Sequence, residues 1–312
     1  MMQNGPVTIV ASYNASLFFK GHRLPGLGET IVADEFQEGA GGKGSNQAIC
    51  ASVLGAATRV VMCLGMDRFG DDAQAMYRSF GIGTDMIRRV PAIYSGIGVI
   101  LIDRNGDNMI SVAPGANFNL CERDIDAAAA VFETSYLVGF QLENRLDVVE
   151  YGIRTAHSHG TRTFLDPAPA AKLPDDLFPC IDFIKPNEHE ATILSGIAVV
   201  DVDSAMRAGK WFLEHGVKTV IVTLGKLGAV CVTHGRQDYY PSHSVPAVDT
   251  TGAGDVFSGA LMAALSKDKP LDEAMRFANA AAALSVMRLG VIAAIPHLDE
   301  VEAFLPAFAE VV

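Results

Sequence analysis

The stretch DTTGAGDVFSGAL, residues 249–261, combines an acidic side chain with a run of very small residues. Gly252, Ala253 and Gly254 lead into an apolar segment that predicts a buried helix. Successive backbone N–H groups at such a helix start form a concave anion site, and the helix dipole makes that end positive. The carboxylate of Asp255 stands at the mouth of this site, where it would repel a bound phosphate. A simple phosphate site would not combine these two features.

Two interpretations of Asp255 fit these residues. An acidic side chain in the first turn stabilises the helix dipole by about 0.3–1 kcal/mol. Alternatively, the carboxylate accepts the proton of an attacking hydroxyl while the neighbouring amides stabilise the phosphoryl group that is transferred. The second interpretation explains why an anion site and a carboxylate lie side by side, and it predicts phosphoryl transfer to an alcohol.

A second glycine-rich stretch, EGAGGKGSNQ, begins at residue 38. It satisfies G-x-G-x-x-G, but the residues directly before it are too polar for the buried strand that a dinucleotide site requires. What remains is a backbone that a ligand can approach closely, the cation of Lys43 and the amide side chains of Asn46 and Gln47. These groups suit a polyhydroxyl compound as well as a phosphate. A tight turn before a helix is the simpler alternative, although it needs fewer glycines.

The stretch KPNEHEATIL, residues 185–194, follows a strand-like run and opens a helical pattern. Asn187 and Glu190 stand three apart, which is the spacing of a capping box at a helix N-terminus. The alternative places the pair near magnesium and phosphates, with Glu190 acting through bound water. The two roles are compatible, and the sequence leaves both open.

The overall composition argues against several classes of function. The chain has 312 residues, of which 24 are basic and 36 acidic, and its net charge of −12 repels nucleic acid. Its five cysteines lie far apart, as reduced thiols do in a cytosolic protein. No run approaches the roughly 18 apolar residues of a membrane span, and the first residues resemble a strand rather than a signal peptide. We therefore expect a cytoplasmic protein whose partners are neither nucleic acid nor membrane.

Apolar periodicity predicts the fold. Strand-like runs alternate with helical patterns, and most of these runs are apolar on both faces, as parallel strands between helix layers are. The predicted strands are residues 7–12, 59–65, 135–140, 161–166, 181–186 and 218–225. The predicted helices are residues 45–55, 71–80, 122–132, 145–158, 203–215, 252–266 and 271–289. The alternation is typical of an α/β protein, here a three-layer α/β/α sandwich with a doubly wound, mainly parallel sheet and a single domain over 1–312.

One region departs from this alternation. Residues 95–117 alternate with period two around the turn DRNGDN, which indicates a β-hairpin. Residues 28–39 are also strand-like and have no crossover helix after them. We predict a small separate β-sheet inserted at about 14–38 and 93–115. It is either a lid that excludes water from an active site or a surface feature without a function.

Four motifs in chain order resemble the signatures of the ribokinase-like (PfkB) sugar kinases. They are GGKGSNQA at 41–48, PNEHEA at 186–191, TLGKLGA at 223–229 and DTTGAGDVFSGAL at 249–261. The resemblance covers nearly the whole chain and is greatest to the members that phosphorylate ribose. It implies the sandwich with a β lid and the ATP-dependent phosphorylation of a primary hydroxyl of a small sugar, which is ribose or a ribose-like pentose, deoxy-sugar or keto-sugar. It also implies Mg²⁺, activation by a monovalent cation such as K⁺, and a homodimer formed through the lid.

The resemblance assigns roles to individual residues. The catalytic group is Asp255, with Gly252, Ala253 and Gly254 as the anion site. Magnesium and the phosphates are assigned to Asn187 and Glu190. The nucleotide is assigned, besides Asn187, to Thr223, Gly225, Gly228 and Asn279. The sugar is assigned, besides Asp255, to Asn14, Ser16, Gly42, Lys43, Asn46 and Glu143. The monovalent cation is assigned to Asp249, Thr251, Val286, Leu289 and Gly290.

Ser16 is the position where the chain departs from the family pattern. The members that phosphorylate ribose have an aspartate there that binds two neighbouring sugar hydroxyls, whereas a serine offers one shorter group. Losing a hydrogen bond to a charged group costs about 1.5–3 kcal/mol. The departure predicts an acceptor with an altered, missing or differently placed secondary hydroxyl. The alternatives are a nucleoside or ketohexose kinase on the same fold and, outside the kinases, a sugar sensor without catalysis.

Overall fold

The computed structural model describes residues 4–305. Within that range the chain forms thirteen strands, which are β1 (Val7–Val10), β2 (Asn14–Lys20), β3 (Glu35–Gly41), β4 (Thr58–Gly65), β5 (Gly83–Val90), β6 (Gly96–Ile102), β7 (Asn108–Ala113), β8 (Leu137–Gln141), β9 (Arg162–Asp166), β10 (Phe183–Ile184), β11 (Thr219–Thr223), β12 (Ala229–Thr233) and β13 (Arg236–Tyr240). The same residues form nine α-helices, which are α1 (Lys43–Val53), α2 (Arg68–Ser79), α3 (Glu122–Glu133), α4 (Leu146–Ser158), α5 (Glu188–Ser195), α6 (Val202–Glu214), α7 (Ala253–Ser266), α8 (Leu271–Ser285) and α9 (Leu298–Phe304).

Nine of these strands form one large sheet in the order β13-β12-β11-β10-β9-β8-β1-β4-β5. From β11 to β5 every neighbouring pair is parallel. Parallel neighbours need crossover connections, and helices supply most of them, covering both faces of the sheet. The predicted three-layer α/β/α fold with a mainly parallel sheet is confirmed.

Two adjacent residues of β1 show where the two apolar cores lie. Ile9 belongs to the core on one face of the sheet, with α1, α7 and α8, and Val10 belongs to the core on the other face, with α3, α4 and α6. Side chains alternate between the faces of a strand, so a central strand in this architecture must be apolar throughout. All four residues of β1 are buried. This is the physical reason that continuous apolar runs predict the central strands.

The edges of the large sheet do not follow from the apolar pattern. At one edge β12 pairs antiparallel with β11, and β13 pairs antiparallel with β12. The sequence of β13, RQDYY, leaves only its last residue fully buried. At the other edge β5, with the sequence GTDMIRRV, is also mostly half-buried or exposed. Edge strands are covered less than central ones, so polar residues occupy them and the apolar signal is lost.

A separate four-stranded sheet, which we call the small sheet, has the order β3-β2-β6-β7. The hairpin predicted at 95–117 is formed by β6 and β7, which pair antiparallel. The strand predicted at 28–39 begins only at Glu35 and runs to Gly41 as β3. The chain turns earlier, at Gly28, whose φ of 73° lies in the left-handed region. β2 completes the small sheet by pairing antiparallel with β3 and parallel with β6.

The helix α7 is buried along nearly its whole length and packs tightly on α1. A Cβ added at Gly259 would lie 2.6 Å from the Cβ of Cys50 in α1, so the two helix backbones approach closely at this point. The contact aligns the two helices side by side and brings their first turns together. Although α7 is strongly apolar, no helix within residues 4–305 combines the length and hydropathy needed to cross a bilayer.

Candidate active site

Asp255 lies in the first turn of α7 and is only 7% exposed. The Nδ2 of Asn46 donates to its Oδ2 at 2.8 Å, and the Nε2 of Gln47 lies 3.2 Å from its Oδ1. Both donors lie near the start of α1, so the close packing of α1 on α7 positions the carboxylate. The amide oxygen Oδ1 of Asn46 is buried and has no hydrogen-bond partner among the described residues. The carboxylate of Asp255 is thus held in one orientation by two side chains of α1.

The turn before α7 has the shape of an anion site. Gly252 adopts a left-handed φ of 79°, and a Cβ there would lie 2.6 Å from the Cγ1 of Val291, so glycine is required on both counts. The N–H of Ala253 donates to the carbonyl of Thr250 at 3.3 Å, which closes the turn. The amides of a first helical turn otherwise lack intrahelical acceptors. The structure therefore places Gly252, Ala253 and Gly254 directly beside Asp255.

Charged groups concentrate around Asp255. Its burial raises the pKa of the Asp255 carboxyl; Lys43 opposes this effect and Asp166 adds to it. Burial alone would lower the pKa of Lys43, but the surrounding carboxylates, with Asp255 foremost, outweigh burial and raise it. Burial, reinforced by Asp166, also raises the pKa of Glu190. Carboxylates outnumber cations here, so the cluster suits a positively charged ligand group such as a metal ion bound to phosphates.

A buried ion pair supports this cluster from behind. The Nζ of Lys185 lies 2.8 Å from the Oδ2 of Asp166, and both side chains are less than 5% exposed. The same Nζ donates to the carbonyl of Gly254 at 3.2 Å. The hydroxyl of Ser258 lies 3.0 Å from both acceptors, the Asp166 carboxylate and the Gly254 carbonyl. The pair therefore ties the ends of β9 and β10 to the first turn of α7.

Sequence reasoning missed the roles of Asp166 and Lys185. Both residues stand where a parallel strand of the large sheet ends, Asp166 as the last residue of β9 and Lys185 directly after β10. Ligand sites of open parallel sheets form at the carboxyl ends of the strands, so this position was the available signal.

The residues assigned to the sugar lie where β1 and β3 lead into the small sheet and α1. The Oε2 of Glu143 accepts the hydroxyl of Ser12 at 2.6 Å and the backbone N–H of Lys43 at 2.8 Å. Gly42 adopts a φ of 97°, and a Cβ there would lie 2.7 Å from the carbonyl of Ser12. Asn14 begins β2 and is nearly buried. The structure thus brings Asn14, Gly42, Lys43, Asn46 and Glu143 into one region with Asp255.

Asn117 fixes the orientation of the Asn14 amide and was not predicted. The Oδ1 of Asn117 accepts the N–H of Tyr13 at 3.0 Å, and its Nδ2 donates to the carbonyl of Tyr13 at 2.8 Å. The two bonds to the backbone of Tyr13 define which atom of the Asn117 amide is the oxygen and which is the nitrogen. The Nδ2 of Asn117 is a donor, so the Asn14 atom that lies 3.1 Å from it is the acceptor Oδ1. The Nδ2 of Asn14 is thereby left free of Asn117, as a hydrogen-bond donor for a ligand.

Asn187 and Glu190 form the predicted capping box of α5. The Oδ1 of Asn187 accepts the N–H of Glu190 at 2.9 Å, and the Oε2 of Glu190 accepts the N–H of Asn187 at 2.8 Å. The two side chains also contact each other, Nδ2 to Oε1, at 3.0 Å. Within residues 4–305 no three His, Cys, Asp or Glu side chains converge as a metal site of their own.

A cavity of about 550 Å³ adjoins the start of α7 and is bounded by Gly225, Ala253 and Asn279. The Nδ2 of Asn279 donates to the carbonyl of Pro241 at 2.7 Å, which fixes one wall. Two further residues assigned to the nucleotide lie beside it. Thr223 forms a β-bridge with Asn187, and Gly228 has a φ of 102° with its backbone against Tyr240. The cavity and the anion site are continuous through Ala253.

Most of the residues assigned to a monovalent cation come together next to this cavity. The carboxylate of Asp249 accepts the N–H of Thr251 at 2.9 Å and the N–H of Gly290 at 3.0 Å. The carbonyl of Val286 accepts two N–H groups, those of Val248 at 2.7 Å and Asp249 at 3.1 Å. The side chain of Leu289 projects outward in the same loop. The two loops are therefore tied to each other through Asp249.

The chain is similar to known carbohydrate kinases in sequence and in fold. The profile of the pfkB family of carbohydrate kinases matches residues 7–298. The chain is 37% identical over 299 residues to a ribokinase of Haemophilus influenzae, covering 96% of this chain and 98% of that protein. It is 34% identical over 300 residues to a deoxyribokinase of Salmonella typhi, with coverages of 96% and 98%. The crystal structure of Arabidopsis thaliana ribokinase with ribose and ATP superposes with a TM-score of 0.91 at 31% identity, covering 97% of this chain and 99% of that one.

Proposed function

The chain belongs to the pfkB family of carbohydrate kinases and phosphorylates a small sugar with ATP, and we propose that Asp255 is the general base of this reaction. The observation that carries the proposal is the position of its carboxylate, which is oriented by Asn46 and Gln47 beside the glycines that begin α7. A base must lie within hydrogen-bond reach of the acceptor hydroxyl, and these two amides direct it there.

The raised pKa of Asp255 suits this role. Burial and the nearby Asp166 make the carboxylate a stronger proton acceptor than an exposed aspartate, while Lys43 limits the effect. A general base works best when its pKa approaches the working pH. Asp255 therefore takes the proton of the sugar's primary hydroxyl as the oxygen attacks the γ-phosphoryl group.

The backbone amides at 252–254 stabilise the charge that develops on the transferred group. Lys185 holds the carbonyl of Gly254, so the first turn keeps its geometry during the reaction. Pre-positioned donors of this kind need no rearrangement when the transition state forms.

Asn187 and Glu190 would hold Mg²⁺ through bound water. The fit rests on the buried carboxylate of Glu190, whose pKa is raised by burial and by Asp166 and whose charge a divalent cation would offset. Magnesium commonly uses one or two carboxylates together with phosphate oxygens. When bound, it neutralises charge on the phosphates of the nucleotide.

The cavity bounded by Gly225 and Asn279 is the proposed nucleotide site, together with Thr223 and Gly228. Its volume lies in the ordinary range for small-molecule sites. Its far end reaches Ala253, so a nucleotide bound there would direct its phosphates to the anion site. The loops joined by Asp249 are the proposed site of a K⁺ ion, which would be held by carboxylate and carbonyl oxygens.

The small sheet is the proposed lid of the sugar site. The proposed sugar contacts lie where the small sheet meets the large sheet and α1, and they are Asn14, Gly42, Lys43, Asn46 and Glu143. Its strands expose large apolar side chains, including Phe36, Met109, Ile110 and Val112. Exposed apolar surface of this extent supports a homodimer formed through the small sheet, and a cytoplasmic location fits reduced cysteines.

Ser16 supports a difference in sugar specificity. It occupies the face of β2 that also carries Asn14, where one hydroxyl can replace only part of what a carboxylate binds. The acceptor therefore has an altered, missing or differently placed secondary hydroxyl. If ribose shows the highest kcat/KM in a panel of pentoses, deoxy-sugars, ketohexoses and nucleosides, and Ser16→Asp does not improve it, this specificity is wrong.

Release of ADP with that panel tests the proposed base. Asp255→Ala should lower kcat by about 10²–10⁴-fold and change the KM for the sugar much less, since the base acts in the transition state. Normal turnover of Asp255→Ala would refute the role. ADP release by the unaltered protein with a sugar is also the direct check against the sugar sensor without catalysis that the sequence left as an alternative.

A further inference from the structure

The side-chain amide of Gln47 is fully buried and has only one orientation that its neighbours accept. Its nitrogen lies 2.9 Å from the Oδ2 of Asp166 and 3.2 Å from the Oδ1 of Asp255. An ionised carboxylate only accepts hydrogen bonds, so the amide atom that faces both acids must be the donor Nε2. The amide oxygen Oε1 of Gln47 is therefore turned away from the carboxylates, and because it is buried it needs a donor of its own.

Gln141 supplies that donor. It is the last residue of β8, and its Nε2 donates to the Oε1 of Gln47 at 2.8 Å. Gln141 and Asp166 are direct neighbours in the pairing of β8 with β9, so their side chains project to the same face of the large sheet. Two glutamines and two carboxylates thus form one chain of hydrogen bonds, in which Gln141 reaches Asp255 through Gln47.

Gln141 is unfavourable for the stability of the fold in one respect. Its side chain is 1% exposed, and its own amide oxygen Oε1 has no hydrogen-bond partner among the described residues. A buried acceptor without a donor costs about 1–3 kcal/mol. A Cβ on Gly44 would lie 2.5 Å from this oxygen, so a glycine in α1 leaves room for the amide. An apolar side chain would remove the unpaired oxygen, so what the glutamine provides in return is its hydrogen bond to Gln47.

We propose that Gln141 is a positioning residue for phosphoryl transfer, because its nitrogen fixes the amide of Gln47 and that amide holds the carboxylate of Asp255 toward the acceptor hydroxyl. The proposal rests on the role of Asp255 as general base given above. Without the donor from Gln141, the amide of Gln47 turns toward other donors and the Oδ1 of Asp255 loses its hydrogen bond to Gln47. A small misplacement of a base slows the chemical step more than it weakens binding.

Gln141→Met removes the donor and keeps nearly the same side-chain length. We expect kcat to fall by about fivefold to tenfold, the value of one buried hydrogen bond. The KM values for the sugar and for ATP should change by less than about twofold, because Gln141 acts on the base and not on either substrate. Ser135→Ala is the matched control, since it removes a buried hydrogen bond of 2.7 Å to Thr8 near the other end of β8. It should leave kcat unchanged even where it lowers the melting temperature.

Gln141→Glu has the shape of the glutamine and tests the donor itself, also in the event that Gln141→Met does not fold. Its carboxyl group donates to the Oε1 of Gln47 only while it is protonated, and burial favours the protonated form. The charged groups around this position are Asp166, Asp255, Lys43 and Lys185. As pH rises and the introduced carboxyl ionises, it repels the oxygen of Gln47. The ratio of kcat between this variant and the unaltered protein should therefore fall with rising pH, whereas a purely structural defect gives a constant ratio.

The background of Asp255→Ala separates this proposal from the one on which it rests. In that background Gln141→Met should have no further effect on kcat, because Gln141 acts through the base. The positioning role is wrong, and Asp255 remains the base, if both Gln141 variants keep the kcat of the unaltered protein at every pH. It is also wrong if Ser135→Ala lowers kcat as much as Gln141→Met does. Normal turnover of Asp255→Ala would overturn the base and the role of Gln141 together.

Discussion

The side-chain nitrogen of Gln47 lies between two buried carboxylates, 2.9 Å from the Oδ2 of Asp166 and 3.2 Å from the Oδ1 of Asp255. One amide thus links the ion pair behind the site to the proposed base. The charge of Asp166 acts on Asp255 across this short distance, and it is one of the causes of the raised pKa of Asp255.

Asp166→Asn should shift the acidic limb of the pH profile of kcat/KM to lower pH. Asp255 must be ionised to accept a proton, so activity falls as pH drops through its pKa. The charge of Asp166 raises that pKa, and removing it lowers the pKa while Lys185 remains as a cation. Asp238→Asn, on the edge strand β13, is the control and should leave the limb in place. A shift of the Asp166→Asn limb to higher pH would contradict this linkage.

Asp255→Asn should unfold at a higher temperature than the unaltered protein at neutral pH, although it is inactive. The folded-state pKa of Asp255 is raised, so its stabilising contribution is present below the pKa of the unfolded chain and is lost as pH rises through the folded value. An asparagine at this position does not ionise, so the variant does not lose this stability as pH rises. Melting temperatures measured from acid to neutral pH should diverge with rising pH. Parallel curves would show that the charge is not destabilising.

Lys185→Met should lower the free energy of unfolding by about 3–5 kcal/mol, because it leaves Asp166 charged, buried and without its cation. The double variant Lys185→Met with Asp166→Asn should recover part of this loss, since no unpaired charge remains. Urea unfolding of Lys185→Met, of Asp166→Asn and of the double variant gives the three values that the comparison needs. If the losses from the two single changes simply add in the double variant, the residues are not coupled.

Asn117→Asp should raise the KM for the sugar by about threefold to tenfold, the value of one hydrogen bond, and leave the KM for ATP unchanged. A carboxylate at this position cannot donate to the Oδ1 of Asn14, so the Asn14 amide turns and presents its oxygen to the sugar. In an Asn14→Ala background the change should have no further effect on the sugar. Asn119→Asp is the control, because Asn119 is exposed and lies in the same 3₁₀-helix, Gly115–Asn119. An equal loss with Asn119→Asp, or full additivity with Asn14→Ala, would assign Asn117 to the fold alone.

Local sequence patterns were sufficient to predict the central strands and the glycine-rich turns. β1 and β8 are apolar on both faces, and the capping box of Asn187 and Glu190 follows from a spacing of three. The edge strands β5 and β13 were not predictable in this way, because partial exposure removes the apolar signal.

Contacts between segments that are distant in the chain could also not be predicted from one sequence. Asp166 and Lys185 meet only because β9 and β10 are adjacent, and Asn117 reaches Tyr13 across 104 positions. No periodicity encodes such pairs. Residue type and strand position restrict where they form, but pairing is settled by the packing of the whole sheet.

The tight contact at Gly259 also bears on how the two substrates are aligned. The first turn of α1 carries proposed sugar contacts and the first turn of α7 carries the amides for the phosphoryl group, and the two helices meet with almost no side chain between them. The sugar that accepts the phosphoryl group and the nucleotide that donates it are thus both held by one pair of tightly packed helices. Movement of the small sheet would change how easily the sugar enters the site and how long it stays bound. The distance between the attacking hydroxyl and the phosphoryl group would still be set by the packing of α1 on α7.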